Sequence, residues 1–475
     1  MNPNFSDRLL GLWVVYIVLS YWGISASVSE PNYRHAPEFL QSVFSVAQGA
    51  IWGSIEPGFW RAHVTPPVIV YLGIALSIFI FVWYFIDVNA NSLHQFYRDR
   101  LVGAFLVDPK KKWDDINENK NIAANDFSLN DISPIYAPYH LINTTLNVPG
   151  SPRANRRGRN GDFFLLSRNF VGSEVTGYVE TNDVKDFWTG DIGTAMAISG
   201  AAAAPNMGIA SLRPLAFTLA LLNVRLGRWF PNPKKLSKLR KSRQWPRPRY
   251  FLAEAFFRTR ETFNYVFLSD GGHIDNLGVY ELLRRRVAVI IVVDGEADGG
   301  MDFPSLVQLQ RLARIDLGIR IRLPWGEIKT HTRKTSAEIA AEQVRTKNLG
   351  PHAAIGIIEY PGEPPAQPET GVLIYLKASL TGDENDYVSD YKKRNPDFPH
   401  ETTLNQFFSE EQFEVYRALG YHISNRLFTE KDCCSVETKL TDQEKLSIQR
   451  AKRLLNFNFE ECEPSPATPA DQATA

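Results

Sequence analysis

Two uncharged apolar runs near the N-terminus constrain this chain more than any other feature. Leu9–Val28 reads LLGLWVVYIVLSYWGISASV, and Val68–Ile86 reads VIVYLGIALSIFIFVWYFI before Asp87. A helix that crosses a bilayer core needs about 20 apolar residues. The second run meets that length and ends in aromatics, as interfacial belts do. The first contains Ser20, Ser25 and Ser27, and an uncleaved signal-like anchor is an alternative for it. A pair of buried core helices is the competing reading, but helices in soluble cores rarely run so far without a charge. The runs therefore predict a two-helix transmembrane hairpin. Residues 1–90 become a membrane anchor, with spans at about 9–28 and 68–88. Arg98, Arg100 and Lys110, Lys111, Lys112 follow the second run, whereas Arg8 alone precedes the first. The positive-inside rule then puts both termini, and the large C-terminal part, in the cytoplasm.

Charge and cysteine content narrow the remainder. Lys+Arg and Asp+Glu balance at 52 each, whereas a nucleic-acid binder is expected to be basic overall. No nucleic-acid partner is expected. Cys433, Cys434 and Cys462 form neither a disulfide framework nor a zinc spacing. Past residue 90 the pattern alternates. Strands are predicted at Tyr139–Asn147, Asp162–Leu166, Tyr265–Leu268, Val287–Val293, Ile319–Leu323, Ala354–Tyr360 and Val372–Lys377. The run VAVIIVV reads as a strand buried on both faces. Helices are predicted over Gly193–Ala204, from Asn276 as cap to Arg286, over Phe303–Ile315 and over Ser409–Asn425. Strand, turn, helix and strand in that order mark a βαβ unit, hence an α/β fold with a parallel-rich sheet and flanking helices. This domain spans 91–460, and the tail 461–475 is disordered by composition.

The stretch Phe267–Gly278, FLSDGGHIDNLG, carries the chemistry. Asp270 ends a strand and is followed by Gly271 and Gly272, at the edge where open α/β sheets bind ligands. An Asp held there can act as general base; an ordinary Asp-Gly turn is the competing reading. His273 beside it is the one histidine of note. His400 reads as a loop residue, and Asp294 as a strand-terminal turn, with support of the site edge as the alternative.

Longer stretches resemble the large bacterial membrane-associated patatin-like phospholipases. They are Asn89–Leu101 (NANSLHQFYRDRL), Ile142–Asn147 (INTTLN), Gly193–Gly208 (GTAMAISGAAAAPNMG), Phe267–Arg286 (FLSDGGHIDNLGVYELLRRR), Phe398–Phe408 and Tyr416–Gly420. The resemblance implies a patatin-type Ser/Asp-dyad acyl hydrolase of lipid, without cofactor or metal, in the bacterial inner membrane as a multi-pass protein. It makes Asp270 the dyad's base, with Gly271 and Gly272 completing the motif. It assigns Ser199, Gly200, Ala201, Pro205 and Asn276 to the substrate site. The nucleophile of that family sits in Gly-x-Ser-x-Gly on a strained elbow, and no serine here is so flanked; Gly23-Ile24-Ser25-Ala26-Ser27 lacks the second glycine. The family's Gly-rich oxyanion loop is also missing. Ser199 reads as helix packing rather than as a substitute nucleophile. The expectation is a C-terminal fragment or split half, inactive alone, whose partner is a separately encoded N-terminal half with the nucleophile. The alternative is a non-catalytic membrane-surface pseudoenzyme or a lipid- or protein-binding module.

Arg225–Arg249, RLGRWFPNPKKLSKLRKSRQWPRPR, holds basic residues, no acid, and Trp229, Phe230 and Trp245. Read as a Pro-rich loop, it is expected to dock on an anionic phospholipid surface through Lys234, Lys235, Lys238, Arg240 and Lys241. A merely solubilising loop is the alternative.

Overall fold

The computed structural model describes residues 73–77, 87–90, 92–106, 127–133, 135, 138–188, 190–211, 218–220, 224–242, 245–340, 351–362, 369–402, 408–428, 433–436, 439–455 and 460–461. The strands, in chain order, are β1 (Leu141–Asn147), β2 (Gly161–Ser167), β3 (Phe170–Ser173), β4 (Gly177–Glu180), β5 (Arg228–Pro231) and β6 (Tyr265–Asp270). They continue as β7 (Val289–Asp294), β8 (Arg320–Arg322), β9 (Ala353–Tyr360), β10 (Glu369–Lys377), β11 (Cys433–Val436) and β12 (Glu460–Glu461).

These strands make two sheets. The first runs β4-β3-β2-β1-β6-β5 and is antiparallel throughout. The second runs β12-β11-β9-β10-β7, with β8 also on β9. It is mixed: β7 with β10, β9 with β11 and β11 with β12 are parallel, and β9 with β10 and with β8 are antiparallel.

This corrects the expected fold. Strand β6, the Asp270-Gly271-Gly272 turn, the helix Tyr280–Arg284 and β7 follow one another in order. No βαβ unit closes, because β1 and β5 occupy both edges of β6 as antiparallel partners. Strand β7 pairs instead with β10 in the other sheet. The parallel-rich sheet of the patatin type is therefore not the architecture of this chain.

The membrane expectation is corrected as well. Of the two apolar runs, only residues 73–77 fall within the described residues; the rest lie outside them. That described piece is helical but covers about 7.5 Å at 1.5 Å per residue, against a bilayer core of about 30 Å. Among the described residues no helix is long and apolar enough to cross a membrane. The expected transmembrane hairpin, and with it the multi-pass inner-membrane placement, is not what the structure shows. The expected disordered tail lies outside the described residues beyond Glu461.

The packing follows from strand and helix periodicity. In the first sheet Leu146, Phe164, Leu166, Val266 and Leu268 share one buried face with Ala195 and Ile198 of the helix Ile192–Ser199. Asp191 caps that helix by accepting the Thr194 N–H at 2.7 Å. In the second sheet Ile355, Ile357, Ile374 and Leu376 pack against Val415, Leu419 and Ile423 of the helix Glu410–Phe428. The opposite face carries Ile290, Val292, Leu373 and Tyr375, under Leu306, Leu309 and Leu312 of the helix Pro304–Leu317. Strand β7, read from sequence as buried on both faces, alternates instead. Ile290 and Val292 are inside, while Ile291 and Val293 are 40% and 77% exposed. Among the described residues β7 ends its sheet and has one strand neighbour, β10.

A short segment before the helix His94–Phe105 closes the free edge of β5. The Asn89 side chain accepts the Trp229 N–H and donates to the Trp229 carbonyl, both at 2.9 Å. It thus satisfies the edge backbone as another strand would. Val88 packs into the aromatic cluster of Trp229, Tyr250, Tyr265 and Phe267. Asn89→Ala strips both bonds and leaves a half-buried N–H and C=O unsatisfied, at a cost of about 1–3 kcal/mol each when buried. Urea unfolding of this variant is expected to show a lowered midpoint with an unchanged slope; an unchanged midpoint would rule out this role for Asn89.

Candidate functional site at the end of strand β6

Backbone geometry dictates the two glycines after Asp270. A Cβ on Gly271 would lie 2.5 Å from the Asn143 carbonyl oxygen, and one on Gly272 would lie 2.7 Å from Asn276 Oδ1. Only residues without a side chain let β1 and the turn approach so closely. The turn is pinned by Asp270 Oδ1, which accepts the Gly272 N–H at 2.7 Å.

The small-residue segment lies alongside. Ser199 Oγ donates to the Asn143 carbonyl at 2.8 Å, and the Tyr97 hydroxyl donates to the Gly200 carbonyl at 3.0 Å. The Asp270 N–H reaches the Ala201 carbonyl at 3.4 Å. The structure therefore brings together Asp270, Gly271, Gly272, Ser199, Gly200 and Ala201, which are far apart in the chain. Pro205 is buried further along. Asn276 does not cap a helix: the N-cap of the helix Tyr280–Arg284 is Val279, and Asp275 accepts the Tyr280 N–H at 2.9 Å. The Asn276 amide turns instead to Ser305 Oγ at 3.3 Å and Glu296 Oε2 at 3.4 Å.

Burial raises the Asp270 carboxyl above the usual carboxylate range, and the Gly272 N–H offsets this only in part. Among the described residues that N–H is its one hydrogen bond, and no cation pairs with it. Burial also raises the Tyr97 hydroxyl, with the Asp270 charge adding to the effect. A half-buried carboxylate held this way is a stronger base than an ordinary Asp and keeps lone pairs for a proton. Ser199 has no such activation, because its hydroxyl is spent on a backbone carbonyl.

Sequence reasoning missed a second serine. Ser269 Oγ lies 3.0 Å from His273 Nδ1, and His273 Nε2 lies 3.2 Å from the Ala202 carbonyl. Both contacts are satisfied when Nε2 carries the proton and Nδ1 accepts from Ser269. The available signal was the glycine two positions after Ser269. The serine is fully buried and also accepts from Asn147 Nδ2 at 2.8 Å, so no ester reaches it in this conformation.

Two charged knots lie elsewhere. Lys377, fully buried, has Nζ 3.1 Å from Asp294 Oδ1, with Asp298 at 3.8 Å and Glu296 at 3.9 Å. Asp294 does form the expected turn, accepting the Glu296 N–H at 2.9 Å, but it is mainly an anchor for Lys377 and Tyr375. His352, Asp383, Glu384 and His422 bring possible ligand atoms within 4.8 Å of one another. Arg426 sits in that group, 3.1 Å from Asp383 Oδ2 and 3.1 Å from Thr381 Oγ1. Ser379 and Thr381 occupy both His352 nitrogens at 2.8 and 2.9 Å. A guanidinium where a metal would sit, and ring nitrogens already bonded, make this an ion-pair knot that ties β10 to the helix Glu410–Phe428.

The basic segment is structured, in contrast to the expected loop. It forms β5 and the helices Leu236–Ser242 and Pro248–Ala255. Trp229 and Phe230 are core residues, and Arg225 is buried against Glu254 at 3.4 Å. Lys234 Nζ donates to the Val175 carbonyl at 2.6 Å, and Arg240 pairs with Asp183 at 3.1 Å. Lys238 and Lys241 are exposed and Lys235 is half-buried.

No protein-family model, curated protein or solved structure matches this chain.

Two pH effects follow. Burial pushes His94, His273 and His400 down to about 4 and His352 to about 3, from about 6.5 when free. Their contribution is complete above the unfolded value and is lost as pH falls from about 6.5 towards 4. His422 runs the other way, raised by Asp383; its contribution holds below about 6.5 and fades above its raised value. The urea midpoint is expected to fall between pH 6.5 and pH 4, less steeply in His352→Gln, and a flat profile would contradict the burial argument. Asp270, raised from 3.8, contributes below that value and loses its contribution as pH rises. Asp270→Asn is therefore expected to keep or slightly raise the thermal midpoint at pH 7. A clear drop would mark Asp270 as a structural turn residue.

Proposed function

We propose that this chain supplies the general base of a lipid acyl-ester hydrolase, with the attacking serine contributed by polypeptide outside this sequence. The observation that carries the reading is Asp270: a carboxylate raised by burial, with no cation paired to it among the described residues, at a strand end beside the small-residue segment Ser199–Ala201. The resemblance to patatin-like phospholipases points the same way. In the reaction, the serine oxygen attacks the ester carbonyl carbon while its proton passes to Asp270. Backbone N–H groups hold the tetrahedral oxyanion, which collapses to an acyl-enzyme as the alcohol leaves with a proton. Water, deprotonated by Asp270, then releases the fatty acid.

The free side of β7 supports the same reading. Among the described residues the strand has one neighbour, β10. An added parallel strand would end near Glu296, whose carboxylate meets Asn276 at 3.4 Å, one turn from the Asp270 motif. A nucleophile elbow sits at such a strand end.

Fatty-acid release from phospholipid vesicles and from a fluorogenic ester tests this. The purified chain is expected to be inactive. Co-expression with the product of an upstream reading frame that encodes Gly-x-Ser-x-Gly should restore hydrolysis, and Asp270→Asn should reduce the restored rate by about 10²-fold or more. Restored activity that survives Asp270→Asn overturns the proposal. Hydrolysis by the chain alone, abolished by Ser269→Ala, would instead assign the nucleophile to the Ser269–His273 pair.

A further inference from the structure

Beside the edge strand β5 lies a half-open cavity of about 590 Å³, within the size range of small-molecule sites, about 300–1,000 Å³. Arg228 lines it and is enclosed by protein on nearly every other side. Its guanidinium makes neither a hydrogen bond nor an ion pair with any described residue. The two acids nearest to it are committed. Asp191 binds Arg98 at 3.0 Å and caps a helix through the Thr194 N–H. Asp87 accepts the Asn89 N–H at 2.9 Å and stands in electrostatic reach of Arg228 without pairing. The neighbouring arginines differ from Arg228. Arg225 pairs with Glu254 and donates to the Val88 carbonyl at 2.6 Å. Arg240, at the cavity mouth, pairs with Asp183 at 3.1 Å and Asp186 at 3.6 Å.

The cavity thus holds a cation, Arg228, that is unpaired among the described residues and has up to five N–H donors. Phe187 and, at the rim, Trp245, 45% exposed, give it aromatic walls, with Trp229 and Tyr265 buried behind them. Asp87 adds a carboxylate to that lining. A guanidinium recognises phosphate through its fork of donors. Aromatic faces with a nearby carboxylate recognise an alkylammonium. We propose that this cavity binds a zwitterionic phosphate ester, with the phosphate on Arg228 and the ammonium between Asp87 and the aromatic walls. Phosphocholine and phosphoethanolamine are the simplest members of that class, free or as lipid headgroups. The inference rests on Arg228 and its cavity and stands apart from the hydrolase reading.

Isothermal titration of the full chain with phosphocholine, phosphoethanolamine, inorganic phosphate and choline tests it. A zwitterion is expected to bind at least about tenfold more tightly than inorganic phosphate or choline, since each of those satisfies half the site. Arg228→Gln should lose at least about tenfold in affinity while its thermal midpoint holds or rises, because it removes an unpaired buried charge. Asp87→Asn should weaken the zwitterions and leave phosphate unaffected. Trp245→Ala, at the exposed rim, gives an independent loss if Arg228→Gln fails to fold. Arg228-dependent co-sedimentation with phosphatidylcholine or phosphatidylethanolamine vesicles would assign the lipid-borne headgroup; binding of the soluble esters alone would assign the free ester. Equal affinity in parent and Arg228→Gln, inorganic phosphate matching the zwitterions, or no binding of any probe would overturn the proposal.

Discussion

Strand β6 is the member on which the rest of the described structure depends. It is held on both edges, by β1 from Thr144↔Asp270 to Asn147↔Phe267 and by β5 from Arg228↔Leu268 to Pro231↔Tyr265. That double pairing has three consequences. It excludes β7 from the first sheet and so sets the topology. It carries Asp270 to the place where β1 and the small-residue segment converge. It makes β5 an edge strand, whose outer face, closed by Asn89, borders the cavity with Arg228. The glycine at 271 follows from the first pairing, because the turn must pass within contact distance of the Asn143 carbonyl.

Local chemistry was legible in the sequence and pairing was not. The β-branched and alternating runs located β1, β2, β6, β9 and β10 to within a few residues, and the helices Pro304–Leu317 and Glu410–Phe428 likewise. These are signals of period 2 and period 3.6 that a short window contains. The partner of a strand is a long-range property. The order strand, turn, helix, strand describes equally a βαβ unit and a link between two sheets. The run VAVIIVV was apolar enough for a doubly covered strand, yet its position at the sheet end left Val293 in solvent.

The site was legible in one part. The Asp-Gly-Gly turn and the segment Ser199–Ala201 were named from residues alone, and the fold sets them side by side. The Ser269–His273 contact and the Arg225–Glu254–Trp229 group were not legible, because each needs a bend or a strand that composition does not reveal. The basic segment misled for the same reason. Arg225, Arg228, Trp229 and Phe230 read as a cationic aromatic surface, but Trp229 and Phe230 are buried on β5, Trp229 packing against Tyr250 of the helix Pro248–Ala255, and Arg225 is buried against Glu254.

Buried charges separate the structural sites from the candidate functional ones. Lys377 has three carboxylates around it, Glu254 has Arg225 and the Trp229 indole N–H, and Asp383 has Arg426 and His422. Each of these charges is compensated, as a folded interior requires. Among the described residues Asp270 and Arg228 lack an opposite charge at ion-pair distance, although burial acts against the charged form of both. A chain gains no stability from holding either charge there, and Arg228 lines a cavity that another molecule can enter. Sites where local rules are broken without a compensating contact are where function concentrates. Asp270 and Arg228 sit on adjacent strands of one sheet, two residues apart along the β5–β6 register, since Arg228 faces Leu268 and Asp270 ends the same strand. That proximity places a fixed cation and a free base within one stretch of the β5–β6 pair.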